Sequence, residues 1–363
     1  MVKLEEMITR VTKFFKRYWI FIILAAVASG LLIVRLSQKD QPSPLAPQAI
    51  PSPQITLSSP KITGVTLPRN STVSIRDFSF PSNLKIFQGQ AGMISSDQAM
   101  EIAREFGFSG SPRSSEDIFL GNFHTWATEK HSLSIALDAN KIDYGLDLFQ
   151  SNPGKLPSPE TTKTSLEDLL SRLNLEPSFE PRWQREEYLI EGYNLPFAPN
   201  PERADFIKIG FNPAIGQNQL VGLDPGEPLV SLVLDKGGEI IRFQYQVYFS
   251  GFEDQETYDL KTKEEVESIL LSEGRIVYFG TFQESVRPPE ITQAEFNQIA
   301  LAYYQSPDKN PILQPIYILS GQGTLESGET TEIIAYLPAI KFGTQAPQNL
   351  EVPREFFQLP ELP

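Results

Sequence analysis

The chain has 363 residues, 40% of them hydrophobic and 21% charged, and a formal charge of −14, a composition typical of a globular protein. It contains no cysteine and only two histidines, which excludes disulfides, zinc–thiolate sites and cysteine nucleophiles. Its 30 prolines exceed the usual share of about 5% and cluster, which predicts that part of the chain is linker.

An uncharged apolar stretch near the N-terminus predicts a membrane anchor. It runs for 17 residues from Tyr18 to Val34, close to the roughly 20 residues that a spanning helix needs. Five basic and two acidic side chains precede it, so the positive-inside rule keeps the N-terminus in the cytoplasm. A signal peptide cleaved near Ala26-Val27-Ala28 is the alternative, although the apolar run continues past that point. We predict a single-pass protein of the cell membrane, with a cytoplasmic segment at 1–17, a transmembrane helix (a signal-anchor) at 18–36 and an extracytoplasmic remainder.

A proline-rich segment follows the predicted anchor. Residues 37–74 contain seven prolines with Ser, Gln and Thr between them, which predicts an extended, semi-stiff linker. The charge also changes here, because residues 1–40 carry seven basic and three acidic side chains whereas residues 41–363 carry 24 and 42. An acidic body repels phosphate backbones, so nucleic acid is excluded as a partner.

Four segments of the body carry helix start signals. Ser95, Thr262 and Thr292 each stand three residues before a Gln or Glu, the spacing of a capping box. A fourth start at Thr164 precedes leucines at the helical period. We therefore predict four short amphipathic helices.

Between these helices the apolar period changes to two, which predicts strands. Two hairpins, Leu133–Phe149 and Val230–Phe249, share the pattern x-Ser-x-x-Leu-Asp, a tight turn and an alternating strand. Further strands are predicted at 188–193, 205–211, 275–282, 315–320 and 331–340. Helices followed by hairpins predict an α+β fold, and their repetition predicts two tandem helix-plus-antiparallel-sheet lobes, at 75–180 and 181–343. A Pro-rich tail follows at 344–363.

These tandem units resemble a known module. The segment ISSDQAMEIAREFGF, which begins at Ile94, leads to a strand ending in Leu-Asp-x-x-x-Ile, and this arrangement is similar to the PepSY-type module. The closing stretch Leu313–Ile340 resembles the last hairpin of such modules. The whole layout resembles the YycH/YycI-type membrane-anchored extracytoplasmic regulators. The resemblance implies a helix packed on an antiparallel sheet in each unit, no catalysis, and a role in inhibition or sensing through protein contacts.

The two histidines are the first candidates for chemistry. His124 and His131 lie near acidic residues, but a spacing of seven within strand-like sequence predicts imidazoles on opposite faces of the sheet. Asp138 and Asn140 resemble the start of a calcium loop, but the positions that follow do not fit it, so these residues predict a turn.

Two other patterns could indicate a phosphate-binding or catalytic site. The segment around Gly321 and Gly323 lacks the helix and lysine of a phosphate-binding loop and predicts a mobile hairpin loop. Adjacent carboxylates occur at Glu186-Glu187, Glu253-Asp254 and Glu264-Glu265. Paired carboxylates can hydrolyse glycans, so this activity is an alternative. Neighbouring side chains in a strand point in different directions, however, which disfavours it. We predict no catalytic residue, no cofactor, no metal and no enzymatic activity.

Aromatic residues give the predicted binding surface. Phe243 and Tyr245 alternate with glutamines in one predicted strand, and the other aromatic residues lie near the other end of the fold. There they could line a groove. The alternative is that they fill the core. The candidates are Phe243, Tyr245, Tyr303, Tyr304 and Tyr317.

These observations predict a non-catalytic, membrane-anchored extracytoplasmic protein that binds another envelope protein or peptide in a regulatory, inhibitory or sensing role. One alternative is an architectural subunit of a membrane assembly, which an exposed apolar patch of several hundred Å² would reveal. The other is a cell-envelope glycan-active enzyme, which requires two carboxylates facing one cleft.

Overall fold

Capping side chains mark where the helices begin. The structure is a computed structural model and describes residues 64–67, 71–75, 78–79, 81–117, 120–146, 151–175, 179–192, 195–279, 291–305 and 312–341. In that part of the chain 52% of the residues lie in strands and 16% in helices. The helices are α1 (Ser96–Glu105), α2 (Pro159–Arg172), α3 (Lys263–Glu273) and a single 3-10 turn (Pro201–Arg203).

Two of the predicted helix starts are confirmed. The Ser95 hydroxyl accepts the backbone N–H of Gln98 at 3.1 Å and begins α1. At α3, Thr262 and Glu265 form a complete capping box, which satisfies two backbone donors that the helix itself leaves unpaired.

Helix α2 is present where a helix was predicted, but it begins earlier than predicted. Its cap is Ser158, and Pro159 occupies the first turn, where a missing N–H costs nothing. The predicted start at Thr164 is wrong, because Thr164 lies within the helix and its hydroxyl donates to the carbonyl of Glu160 at 3.1 Å. Such back-bonding is typical of hydroxyl side chains inside a helix.

The described residues form strands that join into one mixed sheet. Pairing among them is antiparallel except where β1 and β10 run parallel to β15. In chain order the strands are β1 (Thr72–Ile75), β2 (Asn83–Ala91), β3 (Arg113–Asp117), β4 (Gly121–Ala127), β5 (His131–Ala136), β6 (Lys141–Leu146), β7 (Glu180–Trp183), β8 (Glu187–Leu189), β9 (Phe206–Ile215), β10 (Asn218–Val221), β11 (Val230–Asp235), β12 (Ile240–Gln246), β13 (Phe249–Asp259), β14 (Arg275–Phe279), β15 (Ile291–Tyr304), β16 (Ile312–Leu325) and β17 (Thr330–Pro338).

The two predicted hairpins lie side by side in the largest part of this sheet. Its strands follow the order β3-β4-β5-β6-β12-β11-β9, with β7 and β8 on the far side of β9. The second strand of one hairpin, β6, pairs with the second strand of the other, β12. In that ladder Tyr144 lies opposite Phe243 and Ile142 lies opposite Tyr245.

One face of this region packs under the helices, whereas the other is polar along β6 and holds a smaller apolar cluster around Phe206, Val233 and Ile241. Helices α1 and α2 place small and branched apolar side chains on the face they cover, which belongs to one continuous core. Ile102 and Leu166 are at most 1% exposed there. On the opposite face Lys141 and Asp143 form an ion pair at 3.0 Å. Apolar and polar side chains alternate along β6 because successive residues of a strand point to opposite faces, and one face is exposed to solvent.

The rest of the chain builds around β15 and β16. The strand order is β14-β17-β16-β15, with β1 and β10 on the far side of β15, while β2 joins β13 to the start of β16. Helix α3 contributes the buried side chains of Val266 and Leu270. The Lys261 ammonium just before it donates to the carbonyls of Pro338 and Ile340 at 2.9 and 2.7 Å, which ties the start of α3 to the end of β17.

The predicted α+β fold of two tandem helix-plus-sheet lobes is wrong. The described residues are mostly strand and form one mixed sheet, and all of them belong to the unit Ser59–Pro363. Strand pairs also cross the position where the lobes were divided, since β6 pairs with β12 and β2 with β13. The physical reason is that each hairpin ends in an open edge, and the two edges satisfy each other's backbone donors and acceptors.

Two local predictions near the C-terminus are also wrong. The segment after Thr292 forms β15 instead of a helix, because β16 pairs with it along its length and β1 with its first half. Gly321 and Gly323 lie inside β16, opposite Phe296 and Ala294, instead of in a loop. Tertiary pairing overrides the capping pattern and the glycine signal.

The linker predicted at 37–74 is wrong at its C-terminal end, and residues 37–63 of it lie outside the described residues. Its end belongs to the sheet, because Val65 bridges to Ile276 and β1 pairs with β15, and Leu67 is 3% exposed. The predictions for 1–17, 18–36 and 344–363 lie outside the described residues. Within the described ranges, the helices are too short or too polar to traverse a bilayer.

Gly321 is expected to be indispensable for the β15–β16 ladder. A Cβ atom at this position would collide with the backbone carbonyl oxygen of Glu295, and backbone cannot move there without breaking strand pairs. Gly321→Ala should lower the free energy of unfolding by about 2 kcal/mol or more. Gly145 in β6 is the matched control, since a Cβ there meets nothing within 4 Å, and Gly145→Ala should change stability by less than about 0.5 kcal/mol. Denaturant unfolding of both variants decides this, and equal losses would contradict it.

Candidate binding site

The five aromatic residues proposed as a binding surface are core residues. Phe243 is 0%, Tyr245 4%, Tyr303 2%, Tyr304 2% and Tyr317 1% exposed. The Tyr317 hydroxyl forms a hydrogen bond inside the protein, since it donates to the carbonyl of Lys261 at 2.8 Å. The prediction of a surface formed by these side chains is therefore wrong, and the alternative of a filled core is correct. Alternation with glutamine marks the buried face of a strand as readily as a binding face.

The histidines have separate environments. His124 in β4 lies between two hydroxyls, with Nε2 at 3.3 Å from Ser96 Oγ of α1 and Nδ1 at 3.2 Å from Ser114 Oγ of β3. His131 begins β5 and contacts the Phe108 and Tyr144 rings. The predicted placement on opposite faces is wrong, because the turn between β4 and β5 reverses the chain and both imidazoles lie on the side of the sheet that carries α1.

The adjacent carboxylates serve structural contacts. Glu187 accepts from the Lys208 ammonium at 3.2 Å, and Glu253 accepts from the Gln90 amide at 3.2 Å. The pKa of Glu265 is lowered, first by the backbone N–H of Thr262 and then by Lys341. A glycosidase acid needs a raised pKa, so this carboxylate is unsuited to that role. Within the described ranges, no group of three or more His, Asp or Glu side chains has the geometry of a metal site.

An aromatic cleft opens at the C-terminal end of α1. The helix ends in a Schellman motif, in which the N–H of Gly107 donates to Arg104 at 2.9 Å and the N–H of Phe108 donates to Ala103 at 2.8 Å. Gly107 has φ of +79°, a conformation that glycine adopts without strain. The motif turns the chain so that Phe106 and Phe108 border the same cleft.

The facing wall of the cleft is the turn between β4 and β5. Thr128 holds this turn, since its hydroxyl accepts the backbone N–H groups of Lys130 and His131 at 3.2 and 3.1 Å. The side chains of Glu129 and Lys130 are exposed at the rim. The Trp126 indole N–H donates to the carbonyl of Gly110 at 3.3 Å, which fastens this hairpin to the segment that follows α1.

The rings of Phe106, Phe108 and His131 line the cleft, and Tyr144 packs behind them. Tyr144 of β6 stacks on Phe106 with ring centroids 4.4 Å apart and on His131 with centroids 6.3 Å apart. Phe108 meets both Tyr144 and His131 edge-on, each at 6.4 Å. Offset stacking and edge-to-face packing are the favoured arrangements of aromatic rings. The rings therefore hold one another in place before any ligand arrives.

The cleft can hold an apolar side chain beside a few polar groups. Its volume is about 460 Å³, within the range of roughly 300–1,000 Å³ for ligand sites. Burial, and next the Glu239 carboxylate, raises the pKa of Tyr144, so its phenol stays protonated. When that phenol donates to His131 Nδ1, at 3.4 Å, the imidazole proton resides on Nε2 and the ring keeps one N–H donor.

Sequence reasoning missed this site for an identifiable reason. Phe106 and Phe108 follow the predicted helix directly, and Gly107 between them is a C-terminal stop signal. That signal could have placed both rings beyond the end of α1. The contribution of Tyr144 and His131 depends on the β5–β6 pairing register, which no local pattern reveals.

Comparison with known proteins gives no assignment. No family model matches the chain, and no curated protein sequence matches it. Among solved structures, it is similar to an uncharacterized protein from Eubacterium rectale ATCC 33656, with 12% identity, a TM-score of 0.43, and coverage of 77% of this chain and 94% of that one. The resemblance to PepSY-type modules therefore stays a prediction.

Core tyrosines should ionise late if they are as buried as the structure shows. Burial raises the pKa of Tyr245, Tyr248 and Tyr317 to about 12, against about 10 in an unfolded chain. Their stabilising contribution is complete below pH 10 and is lost as the pH rises from about 10 towards 12. Phenolate absorbance of the folded chain should show Tyr245→Phe and Tyr317→Phe removing amplitude only from the latest phase. Loss of amplitude near pH 10 would contradict their burial.

Proposed function

We propose that the protein binds an extended segment of another envelope protein or peptide, and that the aromatic cleft receives one of its apolar or aromatic side chains. The observation that carries this proposal is the set of pre-stacked rings Phe106, Tyr144 and His131 beside an open volume of about 460 Å³. Because these rings already pack on one another, binding costs little conformational entropy.

The surroundings of the cleft support a peptide more than a small polar metabolite. Within the described lining, the charged groups are Glu129 and Lys130 at the rim, which suit the polar backbone and flanking side chains of a peptide. The inner surface is aromatic, and aromatic pockets with a polar rim are typical of anchor sites in protein recognition.

We also propose that the chain is held in the cell membrane by residues 18–36, with the cleft on the extracytoplasmic side. The support is the uncharged stretch Tyr18–Val34 and the basic residues before it. We infer a regulatory, inhibitory or sensing role, because a binding module acts through the occupancy of its site.

Neither alternative function has a specific observation in its favour. The large apolar side chains most exposed in the described ranges are Met93, Phe197 and Leu223, which lie far apart in the sequence on separate loops. An architectural subunit would need a contiguous patch. The glycan-active enzyme would need two carboxylates at one cleft, and among the acidic residues that the structure describes Glu129 alone lines this one.

Binding of an aromatic side chain can be read directly from the imidazole signals of the full-length chain. With two histidines in the sequence, their proton resonances are assigned by His124→Gln and His131→Gln. Acetyl-tryptophan amide should shift the His131 resonance in a saturable way, through the ring current of the indole, and leave His124 unchanged. Acetyl-alanine amide is the control ligand and should shift neither.

Two matched variants test whether acetyl-tryptophan amide binds at the cleft or elsewhere on the same sheet face. Phe106→Ala removes one wall and should weaken the binding of acetyl-tryptophan amide at least threefold, while His124→Gln, on the same sheet face outside the cleft, should preserve it. Equal shifts of both histidines, or no difference between the two ligands, would refute the cleft as an anchor site.

Orientation in the membrane is tested with reporter fusions. A phosphatase that is active only outside the cytoplasm should be active when fused after Pro363 and inactive when fused after Arg17, before the apolar stretch. The full-length chain should sediment with membranes and resist alkaline extraction. Activity of the Arg17 fusion, or release of the chain by alkali, would rule out the anchor while leaving the cleft measurement intact.

A further inference from the structure

The loop after β8 holds an aromatic side chain out in solvent. Phe197 is 72% exposed, and its backbone forms an antiparallel bridge with Leu189. On either side of it the N–H of Ile190 donates to the carbonyl of Pro196 at 2.9 Å and the N–H of Ala198 donates to the carbonyl of Tyr188 at 2.7 Å. Single exposed apolar side chains are common, but this one belongs to an extended segment, residues 195–198, that is bonded to β8. We call this segment the Phe197 loop.

Leu195 fixes the Phe197 loop from below. Its φ is +50°, a conformation uncommon for a residue other than glycine, which persists only where the surroundings determine it. The Leu195 side chain is 5% exposed and packs in the cluster that contains Leu189 and Phe206. Because the loop is held in this way, Phe197 can enter a partner at little cost in backbone entropy.

The Phe197 loop has the chemistry that the aromatic cleft is proposed to accept. The cleft is lined by the rings of Phe106, Phe108 and His131 and has a volume of about 460 Å³. Its proposed occupant is an apolar or aromatic side chain on an extended segment. Phe197 is such a side chain, and its ring can stack or pack edge-on against the rings of the cleft.

Phe197 cannot reach the cleft of its own chain. His131 begins β5 and Phe197 adjoins β8, and the sheet order between these strands is β5-β6-β12-β11-β9-β8. Five strand spacings of about 4.8 Å separate them by roughly 24 Å. A Phe197 side chain in the cleft must therefore come from a second copy.

The charges beside the two surfaces are complementary. Glu129 and Lys130 are exposed at the cleft rim, one of each sign. Exposed charges of both signs also stand before and after the Phe197 loop, at Glu191 and at Glu202-Arg203. Each surface can thus offer a base to an acid and an acid to a base of the other copy, which favours one orientation of the contact.

We propose that Phe197 of one copy of this chain occupies the aromatic cleft of a second copy. This inference rests on the proposed function, because it names the occupant of the same cleft. The contact joins two different surfaces of the chain. One side chain and its flanks bury less than the roughly 1,200 Å² of a stable interface, so the association is weak in dilute solution and stronger where copies are concentrated in a membrane.

The contact is tested by sedimentation of the full-length chain in detergent micelles over a range of concentrations. Phe197→Ala removes an exposed side chain and should weaken self-association at least tenfold. The matched control is Met93→Ala, since Met93 is 73% exposed, and it should change the association less than twofold. Acetyl-tryptophan amide should dissociate the assemblies by competing for the cleft, and acetyl-alanine amide should not.

Mixing two variants tests which surfaces meet. Phe106→Ala copies lose a wall of the cleft but keep Phe197, whereas Phe197→Ala copies keep the cleft. Neither variant should associate alone, and an equimolar mixture should form dimers. If Phe106→Ala does not fold, the comparison of Phe197→Ala with Met93→Ala and the competition by acetyl-tryptophan amide decide the question by themselves.

The result can fail without the proposed function failing. The Phe197→Ala chain has an intact cleft, so acetyl-tryptophan amide should still shift its His131 resonance. No self-association at millimolar concentration, or equal association of Phe197→Ala and the unsubstituted chain, would overturn the contact between copies. If the His131 shift persists in that case, the cleft stands as a binding site for another partner; if it is absent from both chains, the proposed function fails as well.

Discussion

The ladder between β6 and β12 is the interaction on which the rest of the structure depends. It joins two hairpins that each expose an open edge, and it aligns Tyr144 with Phe243 and Ile142 with Tyr245 on one face. Those rings form the surface on which α1 packs, with Phe106 contacting both Tyr144 and Phe243. Without this pairing the apolar faces of both hairpins would stay open to water.

The same ladder explains where the cleft lies. Tyr144 is fixed from one side by Phe243 of the neighbouring strand and from the other by β5, so it can support Phe106 and His131 as a rigid backing. The Schellman turn at Gly107 then decides that the chain leaves α1 across these rings and not away from them. A candidate site thus arises where a helix ends over a strand pair, with its polar rim supplied by the turn at Thr128.

Polar side chains near the core are used to fix turns and strand ends. Asp235 is fully buried and accepts three backbone N–H groups, from Asn152, Gly237 and Glu239, so both carboxylate oxygens are hydrogen-bonded. The Lys261 ammonium likewise donates to the carbonyls of Pro338 and Ile340 at the end of β17. Both groups therefore fix the positions of turns and strand ends in the sheet.

The amino-acid sequence by itself determined the local features. The caps at Ser95 and Thr262 gave two helix starts, and the Leu-Asp turns gave both hairpins, because caps and tight turns depend on side chains a few residues apart. The partners of those elements were decided by tertiary structure alone. Strand edges carry the same backbone groups in every sequence, so nothing local could show that β6 meets β12, that the capping pattern at Thr292 gives way to β15, or that Tyr144 and His131 stand behind Phe106. The interior position of Tyr303 and Tyr317 likewise depends on which face of the ladder is covered, and the covering elements lie far away in the chain.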